Sequence, residues 1–169
     1  MKRCLSSALL LSLFTGSCAS SLSSRAAEAD ADAQFLKALQ AEDEGQDAVA
    51  AEYYRLAAEQ GHAAAQNNLG LMHFEGRGVW KSYSEAACWY EASAHQGFAK
   101  AQSNLAVLKY FGLGTERNPE EAATLLMLAH GKGHQQAAYS MAMFNLGPNP
   151  EPTLASQALE QKMRVTLIR

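Results

Sequence analysis

The chain has 169 residues, a net charge of −3 and only four prolines, and alanine is abundant. This length accommodates one domain of ordinary size, and the absence of a basic excess argues against a nucleic-acid partner. The charge is uneven, because nine acids and two bases fall within residues 28–59. A polar end of a repeat domain and an acidic docking surface for a basic partner would each account for this excess.

The N-terminus predicts a signal peptide over residues 1–18. A basic start at positions 2 and 3 precedes an apolar run from Leu5 to Phe14, which is shorter than the ~20 residues that span a bilayer and matches a signal-peptide core. Thr15-Gly16-Ser17-Cys18 resembles a bacterial lipoprotein box, in which the cysteine is lipidated. A cut after Ala19 would instead leave a soluble protein. We therefore expect export, either to the periplasm or as an outer-membrane lipoprotein anchored through Cys18.

The segment after the signal peptide divides into a spacer and a first helical hairpin. Residues 19–33 are rich in Ser and Ala and hold a single large apolar side chain, Leu22, so they predict a disordered spacer. Residues 34–62 predict an N-terminal hairpin of two helices. Gly45 and Gly61 are expected to end these helices, and Asp47 to cap the second one.

Residues 63–147 repeat with a period of 36. Gly61, Gly97 and Gly133 are one period apart, as are Leu69 and Leu105. A fixed period of roughly 20–50 residues is typical of a solenoid, in which each unit buries its apolar face against its neighbours. We name the first helix of each unit A and the second B. The predicted helices are A over 63–75 and B over 83–95 in unit one, A over 99–111 and B over 119–130 in unit two, and a third A over 135–146.

The C-terminal segment, 148–169, predicts a capping helix of different character. Gly147-Pro148-Asn149-Pro150 breaks the repeat pattern before it. Leu154, Leu159, Met163 and Leu167 are expected to lie on one side of this helix. The expected fold class is all-α: a right-handed superhelix of antiparallel helix hairpins that ends in this C-terminal cap.

Four spaced submotifs occur in unit one and recur in part in unit two. They are Ala65-Gln66-x-Asn68-Leu69-Gly70-x-Met72, Gly76-x-Gly78-Val79, Glu85-Ala86-x-x-Trp89-Tyr90 and Ala94-x-Gln96-Gly97. Together they resemble the Sel1-like repeat, a branch of the tetratricopeptide-like superfamily, and residues 34–62 resemble a plain tetratricopeptide hairpin. Unit two departs from the pattern at Ala106 and at Leu125-Leu126. The resemblance implies an adaptor for protein complexes, often in bacterial envelopes, and names no partner.

Residues that suggest other chemistry lack the companions this chemistry needs. The Gly-x-Gly pairs at 76–78 and 112–114 are followed by no Lys-Ser or Lys-Thr, so nucleotide binding is not expected. His130 and His134 are separated by glycines, and we expect neither a metal site nor any cofactor. No serine lies in a recognisable hydrolase motif, so no catalytic residue is assigned. Cys88 is expected to stand alone as a small packing residue, since Cys4 and Cys18 are removed or modified.

The resemblance also implies where a partner would bind, because A helices line the concave side of such superhelices. Residues that differ between units on this side are candidates for specificity: Asn67, Leu71, His73 and Phe74 in unit one, and Ser103, Val107, Lys109 and Tyr110 in unit two. The predicted function is an exported, non-enzymatic adaptor that binds a protein or peptide. The alternatives are a cell-wall-active or β-lactamase-like enzyme and a passive structural lipoprotein of the envelope.

Overall fold

The structure is a computed structural model and describes residues 19–144. Within this range it contains seven helices and no strand. The helices are α1 (Ala19–Asp43), α2 (Asp47–Glu59), α3 (Ala63–Glu75), α4 (Tyr83–His95), α5 (Ala99–Phe111), α6 (Pro119–Gly131) and α7 (Gln135–Met143). The predicted signal peptide and the predicted C-terminal capping helix lie outside the described residues.

Consecutive helices pack in pairs, and the pairs stack. The closest packing joins α1 to α2, α3 to α4 and α5 to α6, while α2 packs on α3, α4 on α5 and α6 on α7. The A helices are thus α1, α3, α5 and α7, and the B helices are α2, α4 and α6. This arrangement confirms the expected all-α solenoid of helix hairpins. None of the described helices has both the length and the apolarity that a membrane span requires.

Local sequence signals place the helix ends in the two full units. Ser82 Oγ accepts a hydrogen bond from the Glu85 amide at 3.2 Å, and Asn118 Oδ1 accepts one from the Glu121 amide at 3.0 Å, so both serve as N-caps. Helix α3 ends at Gly76, whose φ of 79° lies in the left-handed region that glycine adopts without a steric penalty. The predicted bounds of α3, α4 and α5 are confirmed, and α6 is one residue longer than predicted.

The predicted disordered spacer at 19–33 is helical in the structure, where it forms the first part of α1. Ala31 is only 4% exposed, and Asp32 Oδ1 lies 3.3 Å from Nε2 of His62. The contacts hold this part of α1 against the start of α3. The sequence conceals this, because alanine favours a helix but gives no large apolar stripe.

Two smaller expectations were also wrong. Asp47 is the first residue of α2 and not its cap, and the cap position is held by Gln46, which makes no side-chain cap bond. The Asp47 carboxylate accepts instead from Nη1 of Arg77 at 3.1 Å. Cys88 lies half-buried on α4 and is disulfide-bonded. The expectation that it stands alone had counted the other two cysteines as removed or modified.

The core follows the repeat. Tyr54, Tyr90 and Leu126 are one period apart on the three B helices and are 0%, 2% and 0% exposed. Each belongs to a separate buried cluster that joins neighbouring hairpins. Trp89 is 8% exposed and packs in the first cluster.

The loops between A and B helices rest on the unit before them. A Cβ atom on Gly78 would overlap the backbone of Asp47 and Ala48 at the start of α2, and one on Gly114 would overlap the backbone of Tyr83 and Ser84 at the start of α4. Both glycines also have positive φ, 66° and 67°. The Gly-x-Gly pairs therefore stack one unit on the next, since only glycine permits this approach.

Candidate protein-binding surface

The A helices form a continuous layer. Asn104 Nδ2 on α5 donates to Asn67 Oδ1 on α3 at 3.0 Å, which joins the A helices of the two full units. The Tyr110 ring of α5 stacks on Phe144, which follows α7, with 4.3 Å between ring centroids. We call this layer, made of α1, α3, α5 and α7, the A layer.

Two of the eight candidate partner-binding residues are buried in the A layer. Asn67 is 4% exposed and Ser103 is 3% exposed. Besides accepting from Asn104, Asn67 donates through Nδ2 to Asn68 Oδ1 at 3.2 Å. These two positions vary between the units, but they lie in the junction between hairpins. Their variation adjusts packing inside the molecule, and they offer a partner almost no surface.

Two further candidates hold the A helices to neighbouring segments. His73 Nδ1 lies 3.4 Å from the carbonyl oxygen of Trp80. Lys109 has a side chain only 14% exposed, and its Nζ lies 3.1 Å from Glu121 Oε2 on α6. Both side chains are engaged within the chain, so the structure gives them supporting contacts.

The four apolar candidates remain partly exposed on the A layer: Leu71, Phe74, Val107 and Tyr110. Leu71 and Val107 occupy equivalent positions, each four residues before the end of its A helix. Leu39 has the same place in α1 and is 36% exposed, and Met143 follows Val107 by one period and is half-buried. We call these four residues, Leu39, Leu71, Val107 and Met143, the apolar row.

Aromatic rings lie next to the apolar row. The Phe74 ring packs against Tyr83 with 5.4 Å between centroids. The Tyr110 hydroxyl donates to the carbonyl oxygen of Phe144 at 3.3 Å. Because each ring is held by a neighbour, both present a fixed apolar edge, which is the property of an interface anchor that loses little entropy on binding.

An ionic network closes the first hairpin on unit one. Arg77 contacts three carboxylates, with Nη2 2.8 Å from Glu42 Oε1, Nη1 3.1 Å from Asp47 Oδ1 and Nε 2.7 Å from Glu75 Oε2. The Tyr54 hydroxyl donates to Glu42 Oε2 at 2.6 Å. Burial opposes ionisation of Glu42, but the hydrogen bonds from Tyr54 and Arg77 outweigh it and lower the pKa of the carboxyl. Burial, and then the bond to Glu42, raise the pKa of the Tyr54 hydroxyl.

The sequence analysis did not identify Trp80, an exposed residue in the same loop as Arg77. It lies in the loop between α3 and α4 and is 93% exposed. The available signal was its lack of a repeat counterpart, because Glu116 stands one period later.

Comparisons with known proteins agree with these observations. The family model described as Sel1 repeat matches residues 44–62, 63–98 and 99–133, together more than half of the chain. The structure is similar to a Sel1 repeat protein from Oxalobacter formigenes, with 34% sequence identity and a TM-score of 0.64 over 72% of this chain and 51% of that one. A search of curated protein sequences gives no match.

A second similar structure is a protective antigen present in uropathogenic Escherichia coli strains, which displays an SLR fold. The identity is 28% and the TM-score 0.59, over 85% of this chain and 30% of that one. The chain thus spans about half the length of the first of these proteins and about a third of the second.

Proposed function

Because the chain belongs to the Sel1 repeat family, whose repeats typically mediate protein–protein interaction, we propose that it is an adaptor that binds a protein or peptide through its A layer. The observation that carries this proposal is the apolar row, which continues across four successive A helices. Half-exposed apolar side chains in line lose their remaining contact with water when a partner covers them, and this burial stabilises the complex.

The dimensions of the row suit a short segment. Packed helices lie ~8–10 Å apart, so a row across four A helices extends over roughly 30 Å. About nine residues of extended chain span this distance. A surface of this size is smaller than obligate interfaces, which favours a transient contact with an amphipathic segment.

We propose that this adaptor acts in the bacterial cell envelope, either free in the periplasm or anchored through Cys18. The support is the signal-like start of the sequence, with its basic residues, short apolar run and lipoprotein-like box. Replacing the cysteine separates the two forms. If Cys18 is lipidated, Cys18→Ser moves the protein from the membrane fraction to the soluble fraction. If the wild-type protein is found in the membrane fraction and the Cys18→Ser variant stays there too, the lipid anchor is excluded.

Crosslinking in intact cells followed by mass spectrometry tests the adaptor function. The wild-type chain is expected to return a reproducible partner, and the double variant Leu71→Glu with Val107→Glu to lose it. Met127→Glu on α6 is the matched control, because Met127 is 54% exposed but lies on a B helix. Recovery of the same partner by the double variant would contradict binding at the apolar row. If the wild-type chain returns no reproducible partner, the result favours the passive structural protein over the adaptor.

We propose no enzymatic activity. The purified protein is therefore expected not to hydrolyse nitrocefin or peptidoglycan. Turnover of either substrate that a single substitution abolishes would replace the adaptor proposal with the enzymatic alternative.

A further inference from the structure

The loop between α3 and α4 presents a tryptophan to solvent. Trp80 is 93% exposed, whereas Trp89 is 8% exposed and lies in the core. An indole kept in water forgoes the free energy that its burial would contribute, and Trp80 is not part of any core cluster of the described residues. Tryptophan is enriched among the residues that contribute most to binding in protein interfaces.

The loop holds Trp80 in a defined place. Gly78 rests on the backbone of Asp47 at the start of α2. The Ser82 amide donates to the carbonyl oxygen of His73 at 2.8 Å, and the His73 ring lies 3.4 Å from the carbonyl oxygen of Trp80. A loop fixed on both sides of its aromatic residue loses little conformational entropy when a partner binds.

The charge around this loop is negative. Arg77 contacts three carboxylates at the base of the loop. The last residue of α1 and the turn after it, which leads into α2 at Asp47, add two more acids. Lys81 extends over the Tyr83 ring, 5.1 Å from its centroid. The charged residues of this edge are Glu42, Asp43, Glu44, Asp47 and Glu75 on the acidic side and Arg77 and Lys81 on the basic side. An anionic membrane or a nucleic acid would be repelled here, and a cationic partner would be attracted.

We propose that this loop edge is a second docking surface, separate from the A layer, which binds a basic segment of a partner protein. An arginine of this segment stacks on the Trp80 indole, while further cations of the segment pair with the surrounding carboxylates. Tryptophan gives the strongest cation–π interaction of the aromatic side chains, and a planar guanidinium also stacks on its face. With both surfaces, one chain holds two protein segments at once.

Isothermal titration calorimetry of the full-length protein with two synthetic peptides tests this proposal. One peptide alternates glycine and arginine over about a dozen residues, and the other carries neutral citrulline in place of each arginine. The arginine peptide is expected to bind, and more weakly as salt is added. The wild-type protein is expected to bind the citrulline peptide about tenfold more weakly than the arginine peptide. The Trp80→Ala variant is expected to bind the arginine peptide about tenfold more weakly than the wild-type protein does.

Three controls keep the result specific. Tyr139→Ala removes a 60% exposed aromatic side chain from α7 and is expected to leave binding unchanged. The double variant Leu71→Ser with Val107→Ser, which removes the apolar side chains without adding charge, is also expected to bind the arginine peptide normally, and this separates the loop edge from the apolar row. Circular dichroism is expected to show Trp80→Ala folded, because the indole contributes little to the core.

Several outcomes would overturn the proposal. These are no binding of the arginine peptide, equal binding of the citrulline peptide, or unchanged binding by Trp80→Ala. Binding of the protein to phosphatidylcholine vesicles that Trp80→Ala abolishes would also overturn it, since Trp80 would then be a membrane anchor.

Discussion

The two full repeats solve one packing problem with different residues. In unit one, Gly70 faces Tyr90, and a Cβ atom at Gly70 would lie 2.8 Å from the tyrosine ring. In unit two, the equivalent residues Ala106 and Leu126 pack in one buried cluster. The glycine is thus needed because of the larger ring on the facing helix, and the smaller leucine allows an alanine. The framework stays fixed while pairs of side chains change together.

The polar contacts at the unit junctions also differ between the two repeats, but in unit two they leave one polar group unpaired. Gln66 Oε1 in unit one accepts from Gln96 Nε2 at 2.8 Å. In unit two, Lys132 stands in the place of Gln96, and its Nζ donates to the carbonyl oxygen of Gly97 at 2.5 Å. The buried Oε1 of Gln102 has no hydrogen-bond partner among the described residues. Unit two thus leaves one buried acceptor unpaired, which costs about 1–3 kcal/mol.

The largest expected effect tests whether the two A helices contribute equally. Leu69 and Leu105 are equivalent and are 2% and 3% exposed. Replacing either with alanine leaves a cavity and is expected to lower the free energy of unfolding by ~2–5 kcal/mol. Urea unfolding followed by circular dichroism measures both variants. A loss confined to Leu69→Ala would show that unit two packs less tightly than its burial indicates.

The second prediction exchanges the packing solutions. Gly70→Ala is expected to cost ~1–3 kcal/mol, because the added methyl group meets the Tyr90 ring. Adding Tyr90→Leu recreates the pair found in unit two. In the Tyr90→Leu background, Gly70→Ala is therefore expected to cost less unfolding free energy than it costs in the wild-type protein. A double-mutant cycle of unfolding free energies measures the coupling. Strict additivity would mean that the ring is not the reason for the glycine.

Sequence periodicity predicted most of the described fold because the signals that end helices are local. Gly76 and Ser82 act through their own backbone and side chains, so they place the bounds of α3 and α4 from the sequence alone. The start of α1 was missed because its buried face is made of small residues such as Ala31 and Ala38, which are 4% and 0% exposed. Alanine spacing gives no contrast between a helix face and a spacer.

The candidate site was predicted less well, because burial depends on contacts between units. Leu71 and Val107 are partly exposed, so a partner can reach them. The pattern predicts that Asn67 contacts a partner, but its side chain bonds to Asn104 in the next unit, and no local pattern reveals this bond. Trp80 was missed for the opposite reason, since it has no repeat counterpart.

The third prediction completes the contact that unit two lacks. Lys132→Gln places a side-chain amide where Gln96 stands in unit one, and Gln96 donates both to Gln66 and to the carbonyl oxygen of Gly61. The new amide is expected to pair with Gln102 and to raise the unfolding free energy by ~0.5–1.5 kcal/mol. Thermal unfolding measures the change. Lys132→Ala is the control and is expected to destabilise. Equal stability of Lys132→Gln and wild type would indicate that the Gln102 oxygen is already satisfied.

The smallest effect concerns the Arg77 network, which the second A–B loop lacks. Glu42 has a pKa lowered from 4.5 in the folded chain, so its contribution to stability is complete above that value and is lost as the pH falls through the lowered pKa. Arg77→Gln is expected to lower the melting temperature at neutral pH, and the gap to wild type should narrow below about pH 4.5. Because these side chains are partly exposed, the gap corresponds to no more than ~1 kcal/mol.

In the second loop, Arg117 donates to the carbonyl oxygen of Tyr110, a group that does not titrate. Arg117→Gln should therefore show a gap that does not change with pH, and a parallel narrowing in both variants would mean that Glu42 is not its source.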